Sequence, residues 1–268
     1  MSKRVRPKKH LGQHFLTDIP TAHRIADGLA ATDGGPVLEV GPGMGVLTGR
    51  LLDRFGERLW VIEIDGESVD YLSDKFPSLI PRILSEDFLQ LDLKRISAGP
   101  VSVIGNFPYN ISSQILFHLI EYRDQVMEIT GMFQREVARR LTSGPGSKEY
   151  GILSVLMGAF YDSEYLFSVS PDVFLPPPKV TSGVIRFKRK ENIGLPCSAA
   201  TFKKVVKMAF NQRRKTLRNA LSAIWSEDME STGYGGLRAE QLSVEKFLEI
   251  AVIEEEKTLR QKTEDRRL

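Results

Sequence analysis

Four consecutive residues, Asn106-Phe107-Pro108-Tyr109, carry the most specific chemistry in this sequence. Asparagine offers a side-chain carbonyl, and proline offers a backbone carbonyl held in a rigid turn. Two such acceptors can hold both hydrogens of an exocyclic amino group such as that of adenine. The lone pair of that amine is otherwise delocalised into the ring and is a poor nucleophile. Held in this way, it turns outward toward an electrophile. Tyr109 adds a flat face, and a base drawn out of its stack needs both a stacking partner and acceptors along its pairing edge. The tetrad therefore suits substitution at an exocyclic nitrogen. Neither a metal nor a strong general base is needed if the transferred group arrives on an activated leaving group.

A second constellation precedes it. Leu38-Glu39-Val40-Gly41-Pro42-Gly43-Met44-Gly45 follows a short apolar run and opens an amphipathic one. Glycines at a strand-to-helix turn let the backbone bend sharply and come close to a ligand. The spacing is not that of a dinucleotide fingerprint, because the sixth position is Val46, and the Gly-Lys-Ser/Thr of a phosphate loop is absent. What remains is similar to the E-x-G-x-G-x-G loop of class I methyltransferases, which lies under the methionine part of S-adenosylmethionine. Further on, Trp60-Val61-Ile62-Glu63-Ile64-Asp65 ends an apolar run in acid. A carboxylate there can accept both ribose hydroxyls, and Glu63 is assigned that role. Asp65 is assigned to a helix cap or loop. Asp87, where a third strand should end, is placed to accept an adenine amino group.

The elements that must hold these residues alternate. Val37–Val40, Leu59–Ile64, Val101–Gly105, Ile129–Phe133, Tyr165–Val169 and Val184–Phe187 have the short, branched apolar runs of covered strands. Between them Ile19–Ala31, Val46–Phe55, Glu67–Lys75, Ser112–Tyr122, Gln134–Thr142 and Tyr150–Phe160 read as helices. This predicts an α/β fold with a mostly parallel, Rossmann-like sheet. After Lys190 the pattern changes: Glu191–Ala200 reads as a linker, and only helical patterns follow, at Phe202–Phe210, Arg213–Trp225 and Ser243–Val252. Residues 1–190 are expected to form the catalytic domain with a basic N-terminal arm, and residues 191–268 a small helical domain. The charged tail Glu254–Leu268 is expected to fray.

Composition narrows the function classes. A chain of 268 residues with 41% hydrophobic and 26% charged residues can bury a sizeable core. One cysteine, Cys197, excludes a disulfide framework or a Cys-rich metal site and fits a reducing cytosol, so a cytoplasmic location is expected. The histidines show no metal-ligand spacing, and no metal is expected. The longest uncharged apolar run, Tyr150 to Tyr161, is too short to cross a bilayer, and neither a membrane partner nor a secretory leader is expected. The net charge of +3 hides two acid-free basic clusters: Lys3, Arg4, Arg6, Lys8 and Lys9 at the start, and a run from Thr201 to Ala220 that includes Arg213, Arg214, Lys215 and Arg218. Such patches attract phosphate backbones.

Taken together, the chain resembles the small-subunit (16S) ribosomal RNA adenine N6,N6-dimethyltransferases, the kasugamycin-resistance family, over nearly its whole length. Lys8-Lys9-His10-Leu11-Gly12-Gln13-His14-Phe15-Leu16, Val173-Phe174-Leu175-Pro176-Pro177-Pro178-Lys179-Val180-Thr181-Ser182 and Phe210-Asn211-Gln212-Arg213-Arg214-Lys215-Thr216-Leu217-Arg218-Asn219 match its N-terminal, proline-loop and helical-domain signatures. The resemblance implies dimethylation of two adjacent adenines in a loop near the 3′ end of small-subunit rRNA within a ribosomal particle, by a monomer, with S-adenosylmethionine as donor and a part in small-subunit biogenesis. It places cofactor contacts on His14, Leu16, Gly41, Gly43, Glu63, Asp87 and Asn106. His14 departs from the family's usual asparagine. Base contacts fall on Asn106, Pro108 and Tyr109, with Phe174 as a second ring sandwiching the base opposite Tyr109; the competing assignment for Phe174 is a core residue ahead of a strand. RNA phosphate contacts fall on Lys8, Lys9, Arg213, Arg214, Lys215 and Arg218, and Gln134–Arg140 is placed at the RNA-facing edge. Two other readings remain open: a resistance methyltransferase acting on large-subunit rRNA, and an assembly or transcription factor that kept the fold without the activity.

Overall fold

The computed structural model describes residues 5–8 and 11–265. Its elements are β1 (Phe15–Leu16), α1 (Ile19–Asp27), β2 (Val37–Val40), α2 (Val46–Phe55), β3 (Leu59–Ile62), α3 (Gly66–Lys75), β4 (Ile83–Leu84), β5 (Val101–Asn106), α4 (Ser112–Glu121), β6 (Val126–Gln134), α5 (Arg135–Thr142), α6 (Ile152–Gly158), β7 (Tyr161–Val169), β8 (Phe174–Leu175), β9 (Ser182–Arg189), α7 (Ala199–Asn211), α8 (Leu217–Ala220), α9 (Glu227–Glu230) and α10 (Val244–Asp265). Contacts divide them into two units. The first runs to Arg139 and resumes over Tyr161–Lys190; the second comprises Arg140–Phe160 and the chain from Glu191 onward. Sequence periodicity places a boundary at Lys190 but does not show that residues 140–160, carrying α6, group with the later helices.

The first unit is built on a seven-stranded sheet in the order β4-β3-β2-β5-β6-β9-β7. From β4 to β6 the pairing is parallel; β9 is antiparallel to both β6 and β7. β2 is buried along its whole length and β5 up to its last residue, which explains their unbroken apolar runs. The two middle strands carry the two chemistry-bearing loops: β2 runs into the glycine loop, and β5 ends at Asn106. β1 and β8 form a separate antiparallel pair, Phe15 opposite Leu175 and Leu16 opposite Phe174, which the sequence reading did not anticipate.

Close packing sets where the tetrad sits. The Phe107 ring lies against the bare α-carbons of Gly105 and Gly131 and meets Phe133 edge to face, with ring centroids 5.3 Å apart. A methyl at Gly131 would fall 2.4 Å from the Phe107 ring.

The second unit is helical. Phe202, Val205, Val206, Ala209 and Phe210 of α7 are buried together with Phe247, Ile250 and Ala251 of α10. Phe210 stacks on Phe247 with centroids 5.7 Å apart. Two expectations are corrected here. The segment Arg213–Trp225 is not one helix: only Leu217–Ala220 is helical, because Thr216 bridges Arg238 and the N–H groups of Leu217 and Arg218 are drawn to the carbonyls of Leu237 and Gly235. The tail, expected to fray from Glu254, is helical through Asp265, and residues 266–268 lie outside the described residues. Glu254 is buried and bonded to Lys204 at 2.7 Å, Glu255 caps the start of α7 through the Ser198 N–H, and Lys257 donates to the Ile224 carbonyl. Charges that looked solvated in sequence are docking contacts. Among the described residues, no helix is long and apolar enough to cross a membrane.

Replacing Gly131 with alanine must displace Phe107 or the strand. G131A is expected to lower stability by about 2 kcal/mol, as overpacking of a dense core does. A urea-denaturation midpoint unchanged from the parent chain would rule out that tight contact.

Candidate active site

A cavity of about 260 Å³ opens in the first unit where β2, β3 and β5 end. Its walls come from the arm Leu11–Leu16, the glycine loop, Glu63 and Ile64, the turn at Asp87 and the tetrad. Gly41, Gly43 and Gly45 have φ of 68, 54 and 70°, a left-handed region that β-branched or bulky residues enter only with strain. The Phe15 ring also rests on Gly43, where a Cβ would stand 2.8 Å away.

The acids are held from the backbone. Glu63 is buried; its Oε2 accepts from Gly43 N at 3.1 Å and its Oε1 from Asp65 N at 3.0 Å. Burial pushes its carboxyl above the ordinary range, and those backbone donors pull the other way. Each oxygen keeps a second lone pair, enough for two ligand hydroxyls. Asp87 accepts from Leu89 N through Oδ1 at 2.9 Å, which leaves Oδ2 for an amino group. Asp65 sits at the N-cap of α3 but is buried, with Ser68 donating to it. Glu39, to which the loop pattern alone assigns no role, also lines the cavity. Its carboxyl is enclosed, accepts from Thr48 Oγ1 at 2.7 Å, and is pushed up to about 8 by burial, with the Glu63 charge adding to the rise. Among the described residues, the lining contains Glu39, Glu63, Glu86 and Asp87 but no Lys or Arg. Such a wall is poorly suited to a phosphate-bearing ligand and well suited to a cationic one.

At the base-facing end, Asn106 Nδ2 donates to the His14 carbonyl at 3.0 Å, leaving Oδ1 to accept. The Pro108 carbonyl takes the Ile111 N–H at 3.2 Å and keeps one lone pair. Tyr109 is fixed by a hydroxyl contact with Ser182, and burial pushes its phenol up. The His14 ring lies beside it, centroids 5.7 Å apart and planes 28° apart, with Nδ1 donating to the Pro176 carbonyl at 2.8 Å. Leu16 is buried at the edge of the same cavity.

The structure brings His14, Leu16, Gly41, Gly43, Glu63, Asp87, Asn106, Pro108 and Tyr109 to one cavity. Phe174 is a correction. It pairs with Leu16 in β8, is 4% exposed, and packs in the core with Leu16, Val169 and Val184. Strand alternation sends Phe174 inward and Leu175 outward. The ring that flanks Tyr109 is His14.

The expected RNA contacts divide. Lys9 lies outside the described residues. Lys8 is a correction: its ammonium is engaged by Asp65, with Glu67 3.3 Å away. Arg213 donates to the Lys148 carbonyl at 2.6 Å and lies 3.6 Å from Glu240, and Arg218 is clamped on Glu230, which also accepts from Trp225. These two arginines hold loops of the helical unit together. Arg214 and Lys215 are exposed and have no side-chain partner among the described residues.

The family model for ribosomal RNA adenine dimethylase matches residues 4–262. The chain belongs to that family. It is 55% identical over 251 residues to the ribosomal RNA small subunit methyltransferase A of Parabacteroides distasonis, covering 93% of this chain and 94% of the relative. To the protein of the same name from Flavobacterium johnsoniae it is 54% identical, covering 92% and 95%. Among solved structures, a dimethyladenosine transferase from Plasmodium falciparum shares the fold with a TM-score of 0.76 at 21% identity, over 88% of this chain and 95% of that one. The 23S rRNA methyltransferase ErmE matches with a TM-score of 0.68 at 26% identity, over 90% and 99%. These neighbours agree with the α/β sheet read from the sequence, and the family model and the small subunit methyltransferase relatives agree with the rRNA-methyltransferase assignment.

Glu39 gives this adenine dimethylase a testable pH dependence. Its folded carboxyl stays protonated up to about pH 8, whereas the unfolded one ionises near its ordinary value. The folded chain holds the extra proton between those limits, so stability falls as pH rises through that window. E39Q keeps the Thr48 bond and removes the titration. It is expected to be more stable than the parent at pH 8.5 by about 2 kcal/mol, with a smaller difference at pH 5. Parallel melting curves would refute the assignment.

Proposed function

We infer that this chain transfers two methyl groups to N6 of each of two adjacent adenines in a loop near the 3′ end of small-subunit rRNA, and that it serves small-subunit biogenesis. The observation that carries this reading is the Asn106 amide, oriented by the His14 carbonyl so that its oxygen is left to accept, in the cavity that Pro108 also lines. The two acceptors take the two N–H bonds of the target amine and turn its lone pair out of the ring. The base stacks on Tyr109. Its partner face is not between Tyr109 and His14, since a base slotted between two rings needs about 7 Å and these stand 5.7 Å apart. After the first transfer, the nitrogen sheds a proton to solvent, and the remaining N–H is held for the second.

The cavity fits S-adenosylmethionine, whose sulfonium supplies an activated methyl group when bound. Glu63 would take the ribose hydroxyls and Asp87 the adenine amine, with Ile64, 55% exposed at the cavity wall, against the ring. Gly41, Gly43, His14 and Leu16 would border the methionine part. The acidic lining, with no Lys or Arg among the described residues, suits that charge. On the RNA side, Arg214 and Lys215 are the phosphate contacts this reading retains, and salt-dependent affinity is expected from them. The close likeness to proteins named small subunit methyltransferase A, against 26% identity to the 23S enzyme, favours the small subunit as substrate.

The deciding experiment offers labelled S-adenosylmethionine with two substrates in parallel, small subunits lacking the modification and naked large-subunit rRNA. N6,N6-dimethyladenosine is expected on the small subunit alone. Product on the large-subunit RNA alone would replace this reading with the resistance-type one. N106A is expected to retain particle binding while losing about a hundredfold or more in transfer rate, the scale of removing one oriented polar group from a reacting centre. An Asn106 variant that methylates at the parent rate would remove the amide from the mechanism.

A further inference from the structure

The Lys8 contact leads away from RNA. Its ammonium closes on an Asp65 carboxylate whose side chain is 1% exposed, and Ser68 donates to the other oxygen of that carboxylate at 2.9 Å. Asp65 in turn gives its N–H to Glu63 Oε1. Lys8 also organises the chain that follows it. Its carbonyl receives the N–H of Leu11 at 3.1 Å and of Gln13 at 3.5 Å, and its own N–H donates to Gln13 Oε1 at 2.9 Å. The segment beyond is the cavity wall: Gly12 presses on Asn110, the His14 carbonyl holds Asn106, Phe15 covers Gly43, and Thr17 N bonds to the Val173 carbonyl at 2.8 Å.

We propose that Lys8 is a positioning residue, a latch on Asp65 that holds the arm 11–16 across the cavity and so couples the nucleoside end of the cofactor site to the orientation of Asn106. The proposal rests on reading the cavity as the S-adenosylmethionine site. The physical reason is the buried carboxylate. Burial alone would push Asp65 up; the bonds from Lys8 and Ser68 outweigh that and keep it below the ordinary range. Glu67 and Gln13 are the other polar groups that face this pair, and Glu63 lies two residues away. Without Lys8, an uncompensated charge remains beside the carboxylate that takes the ribose, an arrangement proteins avoid at considerable cost. The arm then loses its anchor at one end while the β1–β8 pair still holds the other.

The test uses the full chain and two readouts. In cofactor-free protein, hydrogen exchange at the amides of Leu11 and Gln13 is expected to quicken about tenfold in K8M, with Thr17 and β5 amides unchanged. By calorimetry, the dissociation constant for S-adenosylmethionine is expected to rise about tenfold. K8R is expected to return both to within about twofold of the parent. In a D65N background, where there is no charge to compensate, K8M is expected to add less than about twofold. Wild-type exchange and affinity in K8M, or equal losses in both backgrounds, overturns the latch. Should the parent chain itself fail to bind S-adenosylmethionine, the cofactor reading falls, and the exchange comparison still decides whether Lys8 anchors the arm.

Discussion

An amide side chain is nearly symmetric in shape, so what Asn106 offers to a ligand depends on which of its two ends is taken. Here the nitrogen end is taken by the carbonyl of His14, and the oxygen is what remains. Everything that places that carbonyl therefore bears on the reaction. Phe15 can rest on the glycine loop only because Gly43 has no side chain, the two-residue strand β1 is held by β8, and the His14 ring is lodged between Tyr109 and the Pro176 carbonyl. A few residues of the N-terminal arm thus act as the reference surface against which the tetrad is set. The His14 side chain contributes to this with a ring contact to Tyr109 and a donor to the Pro176 carbonyl.

The acids show why burial and function are linked at this sheet edge. Glu63 can present lone pairs to a ligand because backbone N–H groups from two loops already stabilise it. Glu39, one strand over and more deeply enclosed, has only a threonine hydroxyl and holds its proton. Burial raises both carboxyls, and the backbone donors to Glu63 oppose that rise where Glu39 has only the threonine hydroxyl.

Much of this was legible in the sequence where one local signal sufficed. The alternation of apolar runs located the six longer strands and the mostly parallel sheet, because buried strands have no solvent face to vary, whereas the two-residue strands β1, β4 and β8 are too short to leave a pattern. The glycine spacing and the tetrad located the cavity, because each is a turn whose chemistry is local. What could not be read were the tertiary partners of polar residues. Phe174 was ambiguous until the pairing of β8 with Leu16 fixed which way it pointed. Lys8, Arg213 and Arg218 looked like free positive charge because their acids, Asp65, Glu240 and Glu230, lie in other elements. The same holds for the C-terminal helix: Glu254 and Lys257 belong to a charged run, yet they anchor on Lys204 and Ile224.

The excursion of residues 140–160 into the helical unit has a consequence for how this molecule can be divided. Val155, Leu156 and Met157 of α6 are buried, and α6 packs with α7 and α10. A chain shortened to end at Lys190 would keep α6 and remove both of its companions, leaving an apolar helix turned to water in the middle of the catalytic half. The helical unit is therefore not a terminal appendage that can be cut away or traded as one block. A chimera between relatives has to carry residues 140–160 along with everything after Lys190, so modular exchange in this architecture takes two crossovers rather than one.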